Sequence, residues 1–375
     1  MPANNTSVAI CDAESHGLHH EEVNAAIVKK YIDQHNKPAL LFCESGHWQC
    51  VQNVLNDRLG SVPEIEHFPI QPAINSRDEL SAYTVLLRSV FQQMSERGVE
   101  HVLFTNTHHS GLAALLDILD DYPNIHISMI VHGQLDAHHR LSRWQRYFLS
   151  PEPIDTLMAK AQNRIKFITV SGHIPDALAS RGLGHLKTHA VHHPYLWKPA
   201  KAQAHSGSNT ARVCCIGSMN KDKSRRQMRK LVRVLSRLPA DFELSFFGRF
   251  NCRVNDSRIT VHNRRFDKSE FDELIPSYDF ILQPYLKGSY ELKASGILFD
   301  AINYQIPMIT TANPFTQYYF GLLGELGFIA QNDEQFQRNV IQAVSGEAQA
   351  KLKSFKHNLS AARSTLTALN KQIEL

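Results

Sequence analysis

Short apolar runs alternate with amphipathic ones along the first half of the chain. Val8-Ala9-Ile10-Cys11 and Ala39–Cys43 (ALLFC) are unbroken apolar runs bounded by polar residues, the pattern of strands buried on both faces. Between them, Glu21 to Tyr31 places Val23, Ile27 and Tyr31 at helical spacing. A helix is expected after Gly46. Ser76 with Glu79 makes a capping box ahead of a long helix ending at Gly98. Val102-Leu103-Phe104 reads as a strand that ends in Thr105-Asn106-Thr107-His108-His109, with a helix from about Ser110. Ile125 to Val131 is another strand, ending at His132-Gly133, and Phe167 to Val170 the next, ending at Ser171-Gly172-His173. This β-α-β rhythm predicts a parallel sheet flanked by helices.

Lys198 to Thr210 (KPAKAQAHSGSNT) is small, polar and basic, the composition of a linker. The rhythm restarts after it. Val213 to Ile216 is a strand closing on Gly217, and a basic helix follows from about Ser224 to Leu238. Glu243 to Phe247 is a strand ending at Gly248-Arg249, Ile259-Thr260-Val261 another, and Asp267 opens a short helix through Leu274. Tyr278 to Thr311 reads as strand, loop, helix and strand, with the helix opening at Ser295-Gly296. A polar-sided helix runs from Ala348 to the last residue. The expected fold class is α/β, two doubly wound Rossmann-like domains facing an interdomain cleft. The expected domains are residues 1–200 and 201–347, with a helix at 348–375 that packs back on the N-terminal domain.

Composition narrows this little. The 375 residues are 43% hydrophobic and 20% charged, too many for one typical domain. No apolar stretch reaches the ~20 residues that span a bilayer, and the first residues lack a signal-peptide pattern, so a cytoplasmic protein is expected. The six cysteines form no CxxC pair, which fits reduced, buried thiols. The 21 histidines include four adjacent pairs but no HExxH, and no metal site is expected. A net charge of +4 suits an anionic small ligand or an acidic membrane surface. Arg225, Arg226, Arg229, Lys230, Arg233 and Arg237 make helix 224–238 strongly basic. That is either a solvated face or a contact with anionic membrane at the inner face. Few aromatics interleave, so nucleic acid is not expected as a partner.

The chemistry concentrates where strands end. Ligands of parallel α/β sheets bind beyond the carboxyl ends of strands, and helix N-termini attract anions. Gly217-Ser218 through Lys223 is a glycine-ended strand leading by a polar loop into a helix, either a plain βα turn or a phosphate site. Ser295 and Gly296 open a helix. Asp300, one turn in, either holds ribose hydroxyls or complements the helix dipole. Glu291 contacts a sugar hydroxyl or is a surface charge. In the first half, His132-Gly133, His109 and Glu14 follow strand ends and are candidates for the acceptor side of a cleft, beside the bland reading of loop histidines.

These residues resemble the GT-B glycosyltransferases, closest to the retaining, nucleotide-sugar-dependent family 4 group. In that family a strand ends in Gly-Arg with a Lys five residues on. Here Gly217 matches, Ser218 replaces the arginine and Lys223 holds the lysine position. Gly248-Arg249 resembles the family's second glycine-ended strand. The family's Pro, Glu-x7-Glu and Pro-Val-Ile frame is matched by Pro284, Asp300-Ala301 and Pro307-Met308-Ile309. The first Glu falls at Leu292, with Glu291 one residue away, so the motif is divergent. Ser295-Gly296 resembles the variant that binds phosphate through backbone N–H groups, and His132 resembles a cleft histidine of such enzymes. The resemblance implies transfer of a sugar from a nucleoside-diphosphate sugar to a glycan or glycolipid hydroxyl, as in surface polysaccharide or lipopolysaccharide synthesis. His132 and Glu291 would be catalytic. Gly217, Ser218, Lys223, Gly248, Arg249, Ser295, Gly296 and Asp300 would hold the donor, with Glu14, His109 and Gly133 on the acceptor side. No cofactor or metal is implied, because lysine and a helix N-terminus can neutralise a departing diphosphate. Domain closure would hinge near 198–210. A GT-B nucleotide-sugar epimerase and a non-catalytic GT-B binding subunit are the alternatives.

Overall fold

Strand β1 (Val8–Asp12) is buried at all five positions, as is β2 (Ala39–Cys43) beside it. With β3 (Ile65–Pro69), β4 (His101–Asn106), β5 (His126–Ile130), β6 (Ile165–Thr169) and β7 (Thr188–Ala190) they form one sheet in the order β3-β2-β1-β4-β5-β6-β7. Every neighbouring pair is parallel. The computed structural model describes residues 8–73, 78–107, 109–131, 135, 153–198, 210–217, 222–285 and 289–371, without the side chains of 222–224 and 371. Helices alternate with these strands: α1 (Glu21–His35), α2 (Ser45–Leu59), α3 (Glu79–Glu96), α4 (His109–Leu116), α5 (Ile154–Ala161) and α6 (His173–Ser180). The core gathers Phe42, Tyr83, Phe91, Phe104 and Phe167, with Phe91 stacked on Phe104.

The second sheet contains β8 (Ala211–Ile216), β9 (Phe242–Phe247), β10 (Ile259–His262), β11 (Phe280–Gln283), β12 (Met308–Thr311) and β13 (Gly327–Ala330), in the order β10-β9-β8-β11-β12-β13. It too is parallel throughout. Its helices are α7 (Asp222–Leu235), α8 (Lys268–Leu274), α9 (Gly296–Tyr304), α10 (Pro314–Leu323), α11 (Asp333–Val344) and α12 (Gln349–Lys371). Its own core is built on Phe242, Phe246, Phe280, Phe336 and Phe355. The chain thus divides into two compact units. The first runs to Trp197 and takes in Leu292–Ala294. The second comprises Lys198–Glu291 and Ser295–Lys371.

In each sheet the strand order reverses once, between β1 and β4 and between β8 and β11. Those reversals leave a crevice at the strands' carboxyl ends. The second unit starts at a built anchor. The Lys198 N–H donates to Asn303 Oδ1 at 2.9 Å, and its ammonium donates to Asp272 Oδ2 at 2.8 Å. Tyr304 Oη donates to the other Asp272 oxygen at 2.6 Å. The expected hinge residues 199–209 lie outside the described residues.

Some elements differ from expectation. Helix α3 is capped by Asp78, whose carboxylate accepts from Ser81 N, and Ser76 lies outside the described residues. Strands β3 and β7 are edge strands of IEHFP and THA, only partly buried, so no apolar run marks them. Helix α12 was expected to return to the first domain. Its body groups with the second unit, where Phe355 meets Phe328 edge-on. No helix among the described residues is long and apolar enough to cross a membrane.

Candidate functional site

In the first unit, β1 ends on Asp12, whose carboxylate organises the crevice. Oδ1 accepts from the backbone N–H of Glu14 (3.1 Å) and Ser15 (2.8 Å). Oδ2 accepts from the Asn24 side-chain amide and, across to β4, from Thr105 Oγ1 at 3.0 Å. The other proton of the Asn24 amide points at His47 Nε2, 2.7 Å away. His47 Nδ1 stands 2.8 Å from the Gly17 carbonyl, which only accepts, so the ring proton sits on Nδ1 and Nε2 receives Asn24. Asp12, Asn24 and His47 are all buried. Glu44 caps α2 through Gly46 N and His47 N, and its Oε2 also accepts from Gly17 N at 3.5 Å. The loop after β1 is thereby tied to α1, α2 and β4.

Glu14, held by this loop, is also buried. Its Oε1 has no hydrogen-bond partner among the described residues, and neither has the buried Ser15 hydroxyl beside it. Burial pushes the Glu14 carboxyl up to about 8, and the negative charge of Asp12 adds to the rise. Tyr83 pulls it back in part, and Glu79 adds a small increment. The Tyr83 hydroxyl is near enough to act on Glu14 and makes no hydrogen bond of normal geometry among the described residues.

In the second unit, β8 closes on Gly217 (φ +93°) and β9 on Gly248 (φ +128°). Both lie in the backbone region that favours glycine. A Cβ on Gly248 would stand 2.5 Å from the Gly217 carbonyl oxygen, so the two strand ends stack backbone on backbone. A Cβ on Gly217 would lie 3.7 Å from Ile297 Cδ1, which puts the first turn of α9 beside the end of β8. Ser295 is the N-cap of α9, yet its hydroxyl does not cap. It accepts a hydrogen bond from Tyr285 Oη at 2.8 Å instead. A Cβ on Gly296 would meet nothing within 4 Å among the described residues. The first-turn N–H groups of α9 therefore have no cap from Ser295 among the described residues.

The loop after β11 is fastened to β12. Thr310 Oγ1 donates to the Gln283 carbonyl at 2.9 Å and Thr311 Oγ1 to the Tyr285 carbonyl at 2.6 Å. Tyr290, at φ +61°, is a bulky residue in the left-handed region and packs edge-on against Tyr285. Gln283 Oε1 and Asn313 Nδ2 are buried without hydrogen-bond partners among the described residues.

The expected donor residues Gly217, Gly248, Ser295 and Gly296 come together here, around the ends of β8, β9 and β11. Arg249 is exposed and Glu291 half-buried. Asp300 faces α8, where its Oδ1 accepts from Lys268 Nζ at 2.8 Å. Lys223 lies in the first turn of α7 with its side chain outside the described residues. Ser218, His132 and Gly133 also lie outside them. His109 is the first residue of α4, after β4. Asp12, Asn24, His47, Thr105 and Tyr285 were not anticipated. One signal was available: Asp12 is a lone carboxylate ending the run Val8–Cys11, a polar residue where the strand should still be buried.

No family model and no curated protein matches the chain in sequence. Solved structures match it in fold. A glycosyltransferase from Rickettsia africae ESF-5 superposes with a TM-score of 0.57 over 98% of both chains at 12% identity. A lipopolysaccharide outer core galactosyltransferase in its apo form gives 0.56 over 96% of this chain and 99% of its own at 13% identity. A protein assigned as a UDP-N-acetylglucosamine 2-epimerase, from Listeria monocytogenes, gives 0.54 over 98% and 96% at 13% identity. The fold is GT-B, with two Rossmann-like α/β domains. At these identities the likeness is one of fold.

Proposed function

We propose that the protein is a glycosyltransferase that moves a sugar from a nucleoside-diphosphate sugar to an acceptor hydroxyl. The observation that carries this reading is the uncapped start of α9 set beside the all-glycine ends of β8 and β9. Such a corner lets a diphosphate approach backbone closely and meet N–H groups and the positive end of a helix. Those fixed dipoles gain strength as charge develops on the leaving diphosphate. Lys223, in the first turn of α7, and the Ser218 loop would add to the same corner. Asp300 would take the ribose by exchanging Lys268 for its hydroxyls, and Glu291 would hold the sugar. The reading assigns no metal or cofactor, since backbone dipoles and lysine supply the positive charge.

The first unit's crevice between β1 and β4 would serve the acceptor, through Glu14 and His109, with His132 and Gly133 following β5. The likeness to a lipopolysaccharide galactosyltransferase supports a glycan or glycolipid as acceptor. The exposed Arg226, Arg229, Lys230 and Arg233 of α7 would then rest on anionic lipid where such acceptors reside.

Calorimetry with UDP, GDP and ADP tests the donor corner. One of them should bind at micromolar levels, and no heat with any would overturn the reading. The likeness to an epimerase favours a second reading, in which the same corner holds a nucleotide-sugar with no acceptor. Incubating the protein with UDP-hexoses separates the two. Transfer releases nucleoside diphosphate only with acceptor present, whereas epimerisation changes the sugar without any.

A further inference from the structure

Asp12, which ends β1, and Glu14, two residues on, are two buried carboxyl groups whose surroundings differ. Asp12 accepts four hydrogen bonds, from two backbone N–H groups, Asn24 and Thr105. Glu14 is only 8% exposed, and its Oε1 has no hydrogen-bond partner among the described residues. An unsatisfied buried carboxyl oxygen is costly and needs a reason. Poor local construction is not that reason. The Glu14 and Ser15 N–H groups are both fixed by Asp12, and Asp12 is fixed in turn by α1 and β4. The position is rigid and lies at the switch point of its sheet, where ligands of such sheets bind.

We propose that Glu14 is the general base of the transfer, taking the proton of the acceptor hydroxyl. This rests on the glycosyltransferase reading. As the acceptor oxygen bonds to the anomeric carbon, its proton passes to the Glu14 carboxylate. The bond from that carbon to the diphosphate oxygen breaks, and its electron pair leaves with the nucleoside diphosphate. Glu14 then returns the proton to water. Nothing else is consumed. A base serving the attacking oxygen belongs to a direct displacement, which inverts the anomeric centre. This departs from the retaining outcome that the family 4 resemblance implies.

The surroundings suit the role. Burial, Asp12 at the end of β1 and Glu79 on α3 all raise the carboxyl, Tyr83 on α3 lowers it, and together they push it up to about 8. A carboxylate of that basicity accepts a proton far more readily than an ordinary one. Only its ionised fraction works. Transfer should therefore climb about tenfold per pH unit below 8 and level off above.

The test uses the full chain with UDP-glucose, UDP-galactose and GDP-mannose as donors and lipooligosaccharide as acceptor. Glu14→Gln should lower kcat by about 100-fold at pH 8.5 and leave a residual rate without the pH rise, while UDP affinity stays within about twofold. Glu14→Asp should keep the rising pH profile at a reduced rate. The product should carry the inverted anomer. A Glu14→Gln enzyme within about threefold of wild type, or a retained anomer, overturns the proposal while the transferase reading stands. A wild type that turns over none of these donors overturns both.

Discussion

Lys268 donates to Asp300 at 2.8 Å, so the carboxylate expected to hold a ribose is already in an ion pair. The ammonium also lies 5.1 Å above the Tyr304 ring. Both side chains are mostly buried. Removing one member of such a pair leaves the other charge uncompensated. Lys268→Met should lower stability by about 2 kcal/mol in urea unfolding. If Asp300 also serves the ribose, the same variant should bind UDP or GDP a few-fold more tightly, because the ligand no longer displaces the lysine. Unchanged affinity would leave Asp300 as a structural residue.

Glu14 makes stability depend on pH in a calculable direction. Its folded value near 8 exceeds the ordinary 4.5, so between those values the folded protein holds a proton that the unfolded chain has lost. Stability contributed by that proton is complete below about pH 4.5 and lost as pH rises through 8. The loss from this group is on the order of 5 kcal/mol. Urea midpoints measured from pH 5 to 9 should fall for the wild type, and Glu14→Gln should remove most of that slope. A Glu14→Gln curve parallel to wild type would show that the group does not titrate there.

Gly248 tolerates no side chain. Its φ of +128° and a Cβ 2.5 Å from the Gly217 carbonyl oxygen combine strain with a backbone clash. Gly248→Ala should cost about 3 kcal/mol or more and weaken nucleotide binding with it. Differential scanning calorimetry with and without UDP measures both.

Tyr285 and Ser295 are buried partners at 2.8 Å. Tyr285→Phe strands the serine hydroxyl and Ser295→Ala strands the phenol, each at about 1–2 kcal/mol. The double variant should cost less than the sum of the two. A double-mutant cycle in urea reads the coupling, and strict additivity would show that the hydrogen bond is not formed.

The basic face of α7 can be tested with lipid. The wild type should float with vesicles rich in phosphatidylglycerol and not with pure phosphatidylcholine. Arg226→Glu, Lys230→Glu and Arg233→Glu together should abolish flotation without changing stability by more than about 0.5 kcal/mol, since these residues are exposed.

The sheets were legible where strands are buried on both faces, because Val8–Cys11, Ala39–Cys43 and Phe280–Leu282 cannot place a polar residue anywhere. Strand β3, with Glu66 and His67 on a half-exposed edge, carries no such run. Helices α10 and α11 were missed although Asn313 before Pro314 and Asn332 before Asp333 are sequence-level caps, which the structure uses through Thr316 N and Gln335 N. At the site, the glycines and Ser295 were legible because βα corners need small residues. The pairing of Asp300 with Lys268 joins residues 32 positions apart, and the Asp12–Thr105 bridge joins residues 93 apart. Spacing along the chain carries no trace of either.

The strand order β3-β2-β1-β4-β5-β6 of the first sheet recurs as β10-β9-β8-β11-β12-β13 in the second. Six strands of the first sheet and the six of the second thus share one order, so the strand ends on either side of each reversal correspond. The end of β1 corresponds to the end of β8, and the end of β4, at Asn106 and Thr107, to the end of β11, at Gln283 and Pro284. At the first pair, the end of β1 carries Asp12 and Glu14, and the end of β8 carries Gly217. One strand order thus sets two corners of different chemistry, with carboxyl groups at the first and glycine at the second.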